Sequence, residues 1–177
     1  MVVSLEDLSL DDVDGMTALV VANRIDIERV DPPRPPEWFT EAGQRARVER
    51  ILHGTASGEI RCWTIRVADR LAGDIAITGI ARGPFQSGHL GYLVDRAHRG
   101  RGVATAAVGL ALHAAFEELG LHRLDAGTLT TNSASQRVLE KCGFRRVGVV
   151  ERYLFIAGAW RDNFLYERIG PDRDPPV

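Results

Sequence analysis

The segment that most constrains the fold is GYLVDRAHRGRGVAT, residues 91–105, where a strand-like run leads through a basic turn directly into a helix-like run. Gly100 and Gly102 would let the backbone of that turn approach a ligand closely. The first backbone amides of a helix have no partner within the helix and lie at the positive end of its dipole. Such a junction is suited to bind a pyrophosphate, with the helix packed on a sheet.

Arginine side chains add positive charge to the same turn, at Arg96, Arg99 and Arg101. A guanidinium can donate two parallel hydrogen bonds to a phosphate, a contact that an ordinary helix cap does not need. Two other phosphate loops do not fit. A P-loop has Gly-Lys-Ser/Thr after its glycines, and a dinucleotide fingerprint has a third small residue where Thr105 stands. A basic loop without a ligand is the remaining alternative.

Hydrophobic periodicity places this junction within an alternation of strands and helices. We predict helices at residues 16–25, 37–53, 103–116 and 132–142, and strands at 2–5, 60–67, 72–80, 88–94, 123–128 and on both sides of residues 157–158. A proline-rich stiff loop, residues 31–36, separates the first two helices. This order indicates an α/β fold with a mixed sheet, in one domain over residues 1–170, followed by a disordered tail at 171–177.

The charge balance argues against a nucleic-acid or membrane partner. Twenty-two basic and 24 acidic side chains give a formal net charge of −2, so any anionic ligand must be bound locally. Neither the acidic start nor a later segment resembles a secretion signal or a membrane span, which indicates a cytoplasmic protein. Cys62, Cys142 and the five histidines lack metal-ligand spacing, so we expect no metal.

Three segments together resemble the GCN5-related N-acetyltransferase (GNAT) superfamily. At the strand-to-helix turn, RGRGVA at residues 99–104 is similar to the family signature Arg/Gln-x-x-Gly-x-Gly/Ala. TNSASQRVLEKCGF at residues 131–144 and GAWRD at residues 158–162 look like segments of the RimJ/RimL branch. The resemblance implies a mostly antiparallel central sheet flanked by helices, acetyl-coenzyme A as cosubstrate, and a homodimer.

The resemblance also assigns the residues that would bind acetyl-coenzyme A. Leu93 and Val94 would pair with the pantetheine arm, and Asn132 and Ser135 would lie along it. The pyrophosphate would be held by backbone amides of the turn, from Arg99, Gly100, Arg101, Gly102, Val103, Ala104 and Thr105.

Acetyl transfer to an amine needs a neutral amine near the thioester, a donor for the developing oxyanion and a proton for the departing thiolate. We expect the amide of Val94 to be the oxyanion donor and the hydroxyl of Ser135 to be the proton source. The alternative for Ser135 is a purely structural place in the first turn of a short helix.

The general base is the least defined part of this site. In ribosomal-protein members of the family a glutamate stands four residues before the hairpin glycine, and here that position is Leu154. Glu151 is the candidate on the same strand, although regular alternation would put it on the opposite side. Glu28, Asp31 and His89 are other candidates, and ordered water could serve instead.

Trp38 and Tyr92 are aromatic residues that could line the acceptor pocket, with core packing as the alternative. The leading functional hypothesis is N-acetylation of a protein or peptide N-terminal α-amine. A second hypothesis is acetylation of a small amine such as an antibiotic or aminoacyl nucleotide. A third is a non-catalytic coenzyme A-binding sensor module.

Overall fold

The computed structural model describes residues 2–172, so most of the expected tail, residues 173–177, lies outside the described residues. The strands are β1 (Val3–Asp7), β2 (Arg61–Val67), β3 (Arg70–Ala81), β4 (Ser87–Val94), β5 (Arg123–Leu129), β6 (Arg145–Ile156) and β7 (Ala159–Ile169). The helices are α1 (Val13–Ala22), α2 (Arg24–Val30), α3 (Glu41–Ala56), α4 (Val103–His113) and α5 (Ser133–Lys141).

All seven strands form one sheet in the order β1-β2-β3-β4-β5-β7-β6. Only β4 and β5 are parallel, and every other neighbouring pair is antiparallel. The expectation of a mixed, mostly antiparallel sheet flanked by helices is therefore confirmed.

The parallel pair β4 and β5 separates after a short contact. Residues 87–89 of β4 pair with residues 123–125 of β5, and both strands then continue without pairing to each other. The amide of Asp95 donates to Ala72 O on the β3 side at 2.8 Å, whereas Gln86 O accepts from the β5 side. Because backbone groups alternate between the two edges of a strand, the amides of Tyr92 and Val94 face the gap.

The sheet has a hydrophobic core on each face. On one face, α4 covers a large cluster that includes Ile75, Leu124 and Tyr166. On the other face, α1 and α3 cover a smaller cluster around Met16 and Val48, both fully buried. Tyr92 and Leu93 of β4, beside this gap, line two separate depressions.

The predicted helix over residues 16–25 is wrong as a single element. It is interrupted at Asn23, whose side-chain amide donates to Leu19 O at 2.9 Å, so that α1 ends and α2 begins there. Periodicity could not reveal this break because hydrophobic residues continue through it.

The predicted helix over residues 37–53 begins later than expected. Thr40 has extended backbone angles, and its hydroxyl accepts a hydrogen bond from the amide of Gly43 at 3.2 Å, which caps α3. Trp38 and Phe39 instead lie in a separate 3-10 turn, Pro36–Phe39. Apolar spacing alone joined two elements that the Thr40 cap separates.

Gly73→Ala should lower the free energy of unfolding by about 1–3 kcal/mol, because a Cβ at this position would collide with the carbonyl oxygen of Leu93 in the adjacent strand. Gly109→Ala is the control, since its Cβ would meet no atom within 4 Å. The change in α4 should leave stability equal or higher. Urea denaturation measures both; equal stability of the two variants would contradict close packing of β3 on β4.

Candidate active site

The turn between β4 and α4 presents unpaired backbone amides. Gly100 and Gly102 have φ values of 72° and 81°, a left-handed conformation that favours glycine. The first bond of α4 runs from the amide of Ala106 to Gly102 O at 3.0 Å. The amides of residues 103–105 therefore precede the first helical hydrogen bond and, without a side chain at Gly102 to cap them, remain open to a ligand.

A buried asparagine holds this turn in place. Asn23 is 1% exposed, and its Nδ2 donates to Asp95 Oδ1 at 3.2 Å. Its Oδ1 accepts from the amide of Arg96 at 2.9 Å. Asn23 thereby joins the α1–α2 break to the turn, a role that no sequence motif indicated.

The side chain of Arg99 also fixes the turn. Its Nε donates to Val94 O at 3.1 Å, and its Nη1 forms an ion pair with Asp26 of α2 at 2.7 Å. The guanidinium thus links the turn to α2. Arg99 therefore contributes to a ligand site through its position beside the two glycines. Arg101 is exposed and is not among the residues that line the cleft described next.

A cleft of about 420 Å³ lies beside the turn, between β4, α2 and α5. The structure brings together there most of the sequence-predicted cofactor residues: Leu93, Val94, Arg99, Gly100, Gly102, Val103, Ala104, Thr105, Asn132 and Ser135. Arg137 and Lys141 of α5 also line it, and sequence reasoning missed them because only the packing of α5 brings them to the turn. Their charges favour an anionic ligand.

Ser135 and Tyr92 meet inside this cleft. The hydroxyl oxygens of the two residues are 2.8 Å apart, and the amide of Ser135 donates to Asn132 Oδ1 at 3.1 Å. Burial raises the pKa of Tyr92 to about 12, although the hydrogen bond with Ser135 opposes the shift. Tyr92 therefore keeps its proton at neutral pH and can share it with Ser135.

A second depression, of about 320 Å³, lies on the α1–α3 face of the sheet and is lined by Trp38, Gly91, Tyr92 and Leu93. Thus Trp38 and Tyr92 do line one depression, as expected for acceptor contacts. The indole of Trp38 has the guanidinium of Arg34 at 5.2 Å from its ring centre. The backbone oxygen of Trp38 accepts a hydrogen bond from Gln44 Nε2 at 2.6 Å, which fixes the turn that carries the indole.

Arg47 and Asp74 form a buried ion pair at the wall of this second depression. Burial alone would lower the pKa of Arg47, but Asp74, with smaller contributions from Cys62 and Asp31, outweighs burial and the pKa is raised. Asp74 is thus committed to Arg47 and is a poor candidate for a base.

A third depression, of about 420 Å³, lies between α2 and the β6–β7 hairpin. It is lined by Arg29, Leu129, Thr130, Thr131, Ala157, Trp160, Arg161 and Asp162. Arg29 borders both this depression and the cofactor cleft, while Tyr92 and Leu93 border the cleft and the second depression. The three spaces therefore adjoin at α2 and β4.

Glu151 lies in an irregular part of β6. The register with β7 shifts between Val150 and Leu154, and Arg152 has a φ of 50°. The amide of Arg152 donates to Asp162 Oδ1 at 2.8 Å. The alternation on which the expected side of Glu151 depended is broken here, and its exposed carboxylate lines none of the three spaces.

Of the other candidate bases, Glu28 and Asp31 are in ion pairs and His89 lies on β4. Glu28 pairs with Arg24 at 2.8 Å, and Asp31 pairs with Arg34 at 3.2 Å. His89 stands opposite Asp125 where the pairing of β4 and β5 ends. Burial lowers its pKa, against the opposing effect of Asp125, so the imidazole is mostly neutral at pH 7.

Within residues 2–172, no three His, Cys, Asp or Glu side chains are grouped closely enough to hold a metal ion. No helix in the same range has the length and apolar character needed to span a membrane.

Comparison with known proteins gives consistent matches. The family model described as acetyltransferase (GNAT) domain matches residues 3–145. A probable N-acetyltransferase of Bacillus subtilis, YjcK, is 35% identical over 167 residues, 93% of this chain and 92% of the relative. The ribosomal protein uS5-alanine N-acetyltransferase of Escherichia coli is 26% identical over 86% of this chain and 80% of its own.

Solved structures show the same relationship. Ribosomal-protein-S5-alanine acetyltransferase from Vibrio fischeri superposes with a TM-score of 0.92 at 27% identity, covering 98% of this chain and 96% of that one. Mycobacterium smegmatis RimJ in complex with CoA-disulfide superposes with a TM-score of 0.91 at 26% identity, over 94% of this chain and 81% of that one.

Tyr92 should ionise near pH 12. The folded state holds this proton more tightly than the unfolded chain, in which a tyrosine has a pKa of about 10. The stabilisation is therefore full below about pH 10 and is lost as pH rises through the folded pKa. Tyrosinate absorbance of the wild type minus that of Tyr92→Phe measures the transition. Ionisation of Tyr92 at its ordinary pKa would show that its hydroxyl is not buried against Ser135.

Proposed function

We propose that this chain uses acetyl-coenzyme A as the donor and a protein or peptide N-terminal α-amine as the acceptor. The chain belongs to the GNAT acetyltransferase family and is an N-acetyltransferase. One observation carries the donor assignment. The open amides of α4 and the gap-facing amides of β4 border a single cleft that also contains the Ser135 hydroxyl. This arrangement offers donors to a phosphate at one end and to an acyl oxygen at the other.

The residues of the cleft fit coenzyme A. Amides of Val103, Ala104 and Thr105 would donate to the pyrophosphate, with Arg137 and Lys141 adding positive charge. The edge of β4 beyond His89 has no strand beside it, so its backbone groups can pair with the amide groups of a pantetheine arm. Acetyl-coenzyme A supplies the acetyl group as a thioester.

The gap-facing amides can stabilise negative charge on the acyl oxygen. Val94 was the expected donor, and the structure adds the amide of Tyr92 on the same edge of β4. Both amides are held by the pairing of β4 with β3, so no reorganisation is needed when charge develops.

Ser135 and Tyr92 form a relay for the proton that the leaving sulfur requires. As the C–S bond breaks, Ser135 Oγ donates that proton to the sulfur and takes up the proton of the Tyr92 hydroxyl, 2.8 Å away. Tyr92 regains a proton from water, to which the amine has released its own. A neutral Tyr92 is required for this step, and a tyrosine is neutral at pH 7 with or without the raised pKa.

The carboxylates that line the second depression within the described residues are in ion pairs, which favours an acceptor that needs no strong base, such as an α-amine. Leu154 stands where ribosomal-protein relatives would have glutamate, and Asp31 and Asp74 are both in ion pairs. An α-amine has a pKa of about 8, whereas a lysine-type amine has a pKa of about 10.4. A far larger fraction of an α-amine is therefore neutral at pH 7. Water can therefore accept the proton from an α-amine without a strong base.

A small-molecule acceptor is the second candidate, because Trp38 forms one wall of a defined depression beside the gap. A microcin C7 self-immunity acetyltransferase, MccE, with acetyl-CoA and AMP shares the fold with a TM-score of 0.84 at 18% identity.

The single-domain extent over residues 1–170, a cytoplasmic location and a homodimer stay predictions.

The direct test is thiol release from acetyl-coenzyme A in the presence of N-terminal peptides, polyamines or amine antibiotics. Thiol release with a peptide, and loss of that release when its N-terminus is blocked, would support the proposal. Acetylation of only a small amine would favour the second candidate. Binding of acetyl-coenzyme A without transfer to any amine would instead support the sensor module.

Gly102→Glu should abolish acetyl-coenzyme A binding while the fold is retained, because it places a carboxylate at the open end of α4. Calorimetric titration measures binding. Gly102→Ala is the matched control, since it carries the same left-handed strain of about 1–2 kcal/mol without the charge. Equal affinities of the two variants would refute this placement of the pyrophosphate.

Ser135→Ala should lower kcat roughly 100-fold and leave acetyl-coenzyme A affinity nearly unchanged, since the hydroxyl acts on the leaving group. Ser133→Ala changes an exposed serine of the same helix and should keep normal turnover. Steady-state kinetics on an accepted peptide measures both variants. An unchanged kcat for Ser135→Ala would remove Ser135 from the reaction.

A further inference from the structure

We propose that the depression between α2 and the β6–β7 hairpin is an anion subsite, and that the preferred acceptor carries an acidic side chain close to its N-terminal amine. This inference rests on the proposed function and specifies its acceptor. The subsite is formed by Arg29 of α2 and Arg161 of β7.

The subsite lies next to the reacting atoms. Its floor includes Leu129, Thr130 and Thr131, where β5 ends beside the gap. The chain continues directly into Asn132, which lines the cofactor cleft, and Arg29 borders both spaces. The neighbouring residues of a peptide whose amine reaches the gap would therefore come within reach of this subsite.

The subsite has a net positive charge, because Arg29 and Arg161 line it together with the single carboxylate of Asp162. Within residues 2–172, neither Arg29 nor Arg161 forms an ion pair with a carboxylate. Arg161 donates only to neutral oxygens, Ile156 O at 3.2 Å and Ala157 O at 3.4 Å. These bonds hold the guanidinium at the hairpin and leave Nη1 for a ligand.

The other arginines around the acceptor side are neutralised. Arg34 pairs with Asp31, and Arg47 pairs with Asp74. Among the arginines that line the second and third depressions, those without a carboxylate partner within residues 2–172 are therefore Arg29 and Arg161 of the third.

Two nearby positions could have formed an ion pair with these guanidinium groups and do not. Asp162 lines the depression with its negative charge, but within residues 2–172 it forms no ion pair, and its Oδ1 accepts a hydrogen bond from the amide of Arg152. Leu154 is the direct partner of Arg161 across the hairpin, so their side chains share one face of the sheet. A glutamate at Leu154 would lie opposite the guanidinium, whereas leucine leaves it available.

Guanidinium groups bind carboxylates and phosphates through parallel hydrogen bonds. A carboxylate two or three residues from the acceptor amine would meet this pair, whereas a polyamine would be repelled by it. The phosphate of an aminoacyl nucleotide has the same chemistry and is a second source of the anion.

The test compares peptides that differ only at the second or third residue, which is Asp, Asn or Lys. We expect kcat/KM to fall about five- to tenfold from Asp to Asn and further for Lys, as loss of a charge-assisted contact implies. In Arg29→Gln/Arg161→Gln the preference should disappear. Arg24→Gln is the matched control, because Arg24 lies on the same helix but is paired with Glu28. Acetyl-coenzyme A affinity is measured separately because Arg29 borders the cofactor cleft.

Leu154→Glu should also reduce the preference for Asp, since the new carboxylate would neutralise Arg161, while Leu154→Gln should retain it. The readout is the ratio of KM values for Asp and Asn peptides, which a change in proton transfer alone would not alter.

Equal acetylation of the three peptides would overturn the anion subsite and leave the proposed function intact. Preference for spermidine would overturn both proposals. Acetylation of a stable phosphate-bearing aminoacyl adenylate analogue, but of no peptide, would reject the proposed peptide acceptor. In that case the subsite is supported if the double variant loses this activity, and it is overturned if the activity persists.

Discussion

The separation of β4 from β5 is the constraint on which the rest of the site depends. Three paired residues on each strand hold the sheet together, and beyond them the edge of β4 has backbone donors without a neighbouring strand. An unsatisfied strand edge inside a protein is costly unless a ligand or water completes it. The fold thus creates a binding surface from backbone, and side chains are needed only to orient it and to manage protons.

Asn23 and Arg99 show how that surface is aligned. One buried amide and one ion-paired guanidinium connect the turn between β4 and α4 to α2, the helix that also borders the second depression. The cleft beside the turn and the second depression consequently share a wall. The polar contacts of Asn23 are nearly all internal, which favours one geometry of the turn over many.

The sequence was informative where local chemistry determines structure. The two glycines before α4 predicted a turn with open backbone amides, and the strand alternation predicted the mixed sheet. Residues contributed by distant elements, such as Asn23, Arg29 and Lys141, could not be found, because only tertiary packing places them. The predicted start of the helix over residues 37–53 is wrong because Trp38 and Phe39 continue its apolar spacing across the Thr40 cap. Regular alternation along β6 could not predict the bulge at Arg152.

The bulge at Arg152 divides the β6–β7 hairpin into two separately paired segments. Residues 151–153 stand against Asp162 alone, and regular pairing is restored at Leu154 and Arg161. A strand that can absorb extra residues at one place insulates the rest of its ladder from changes in length. The hairpin tip is therefore separated by the bulge from the paired ladder that begins at Asn163, so a local change at Trp160 or Arg161 need not shift the central strands.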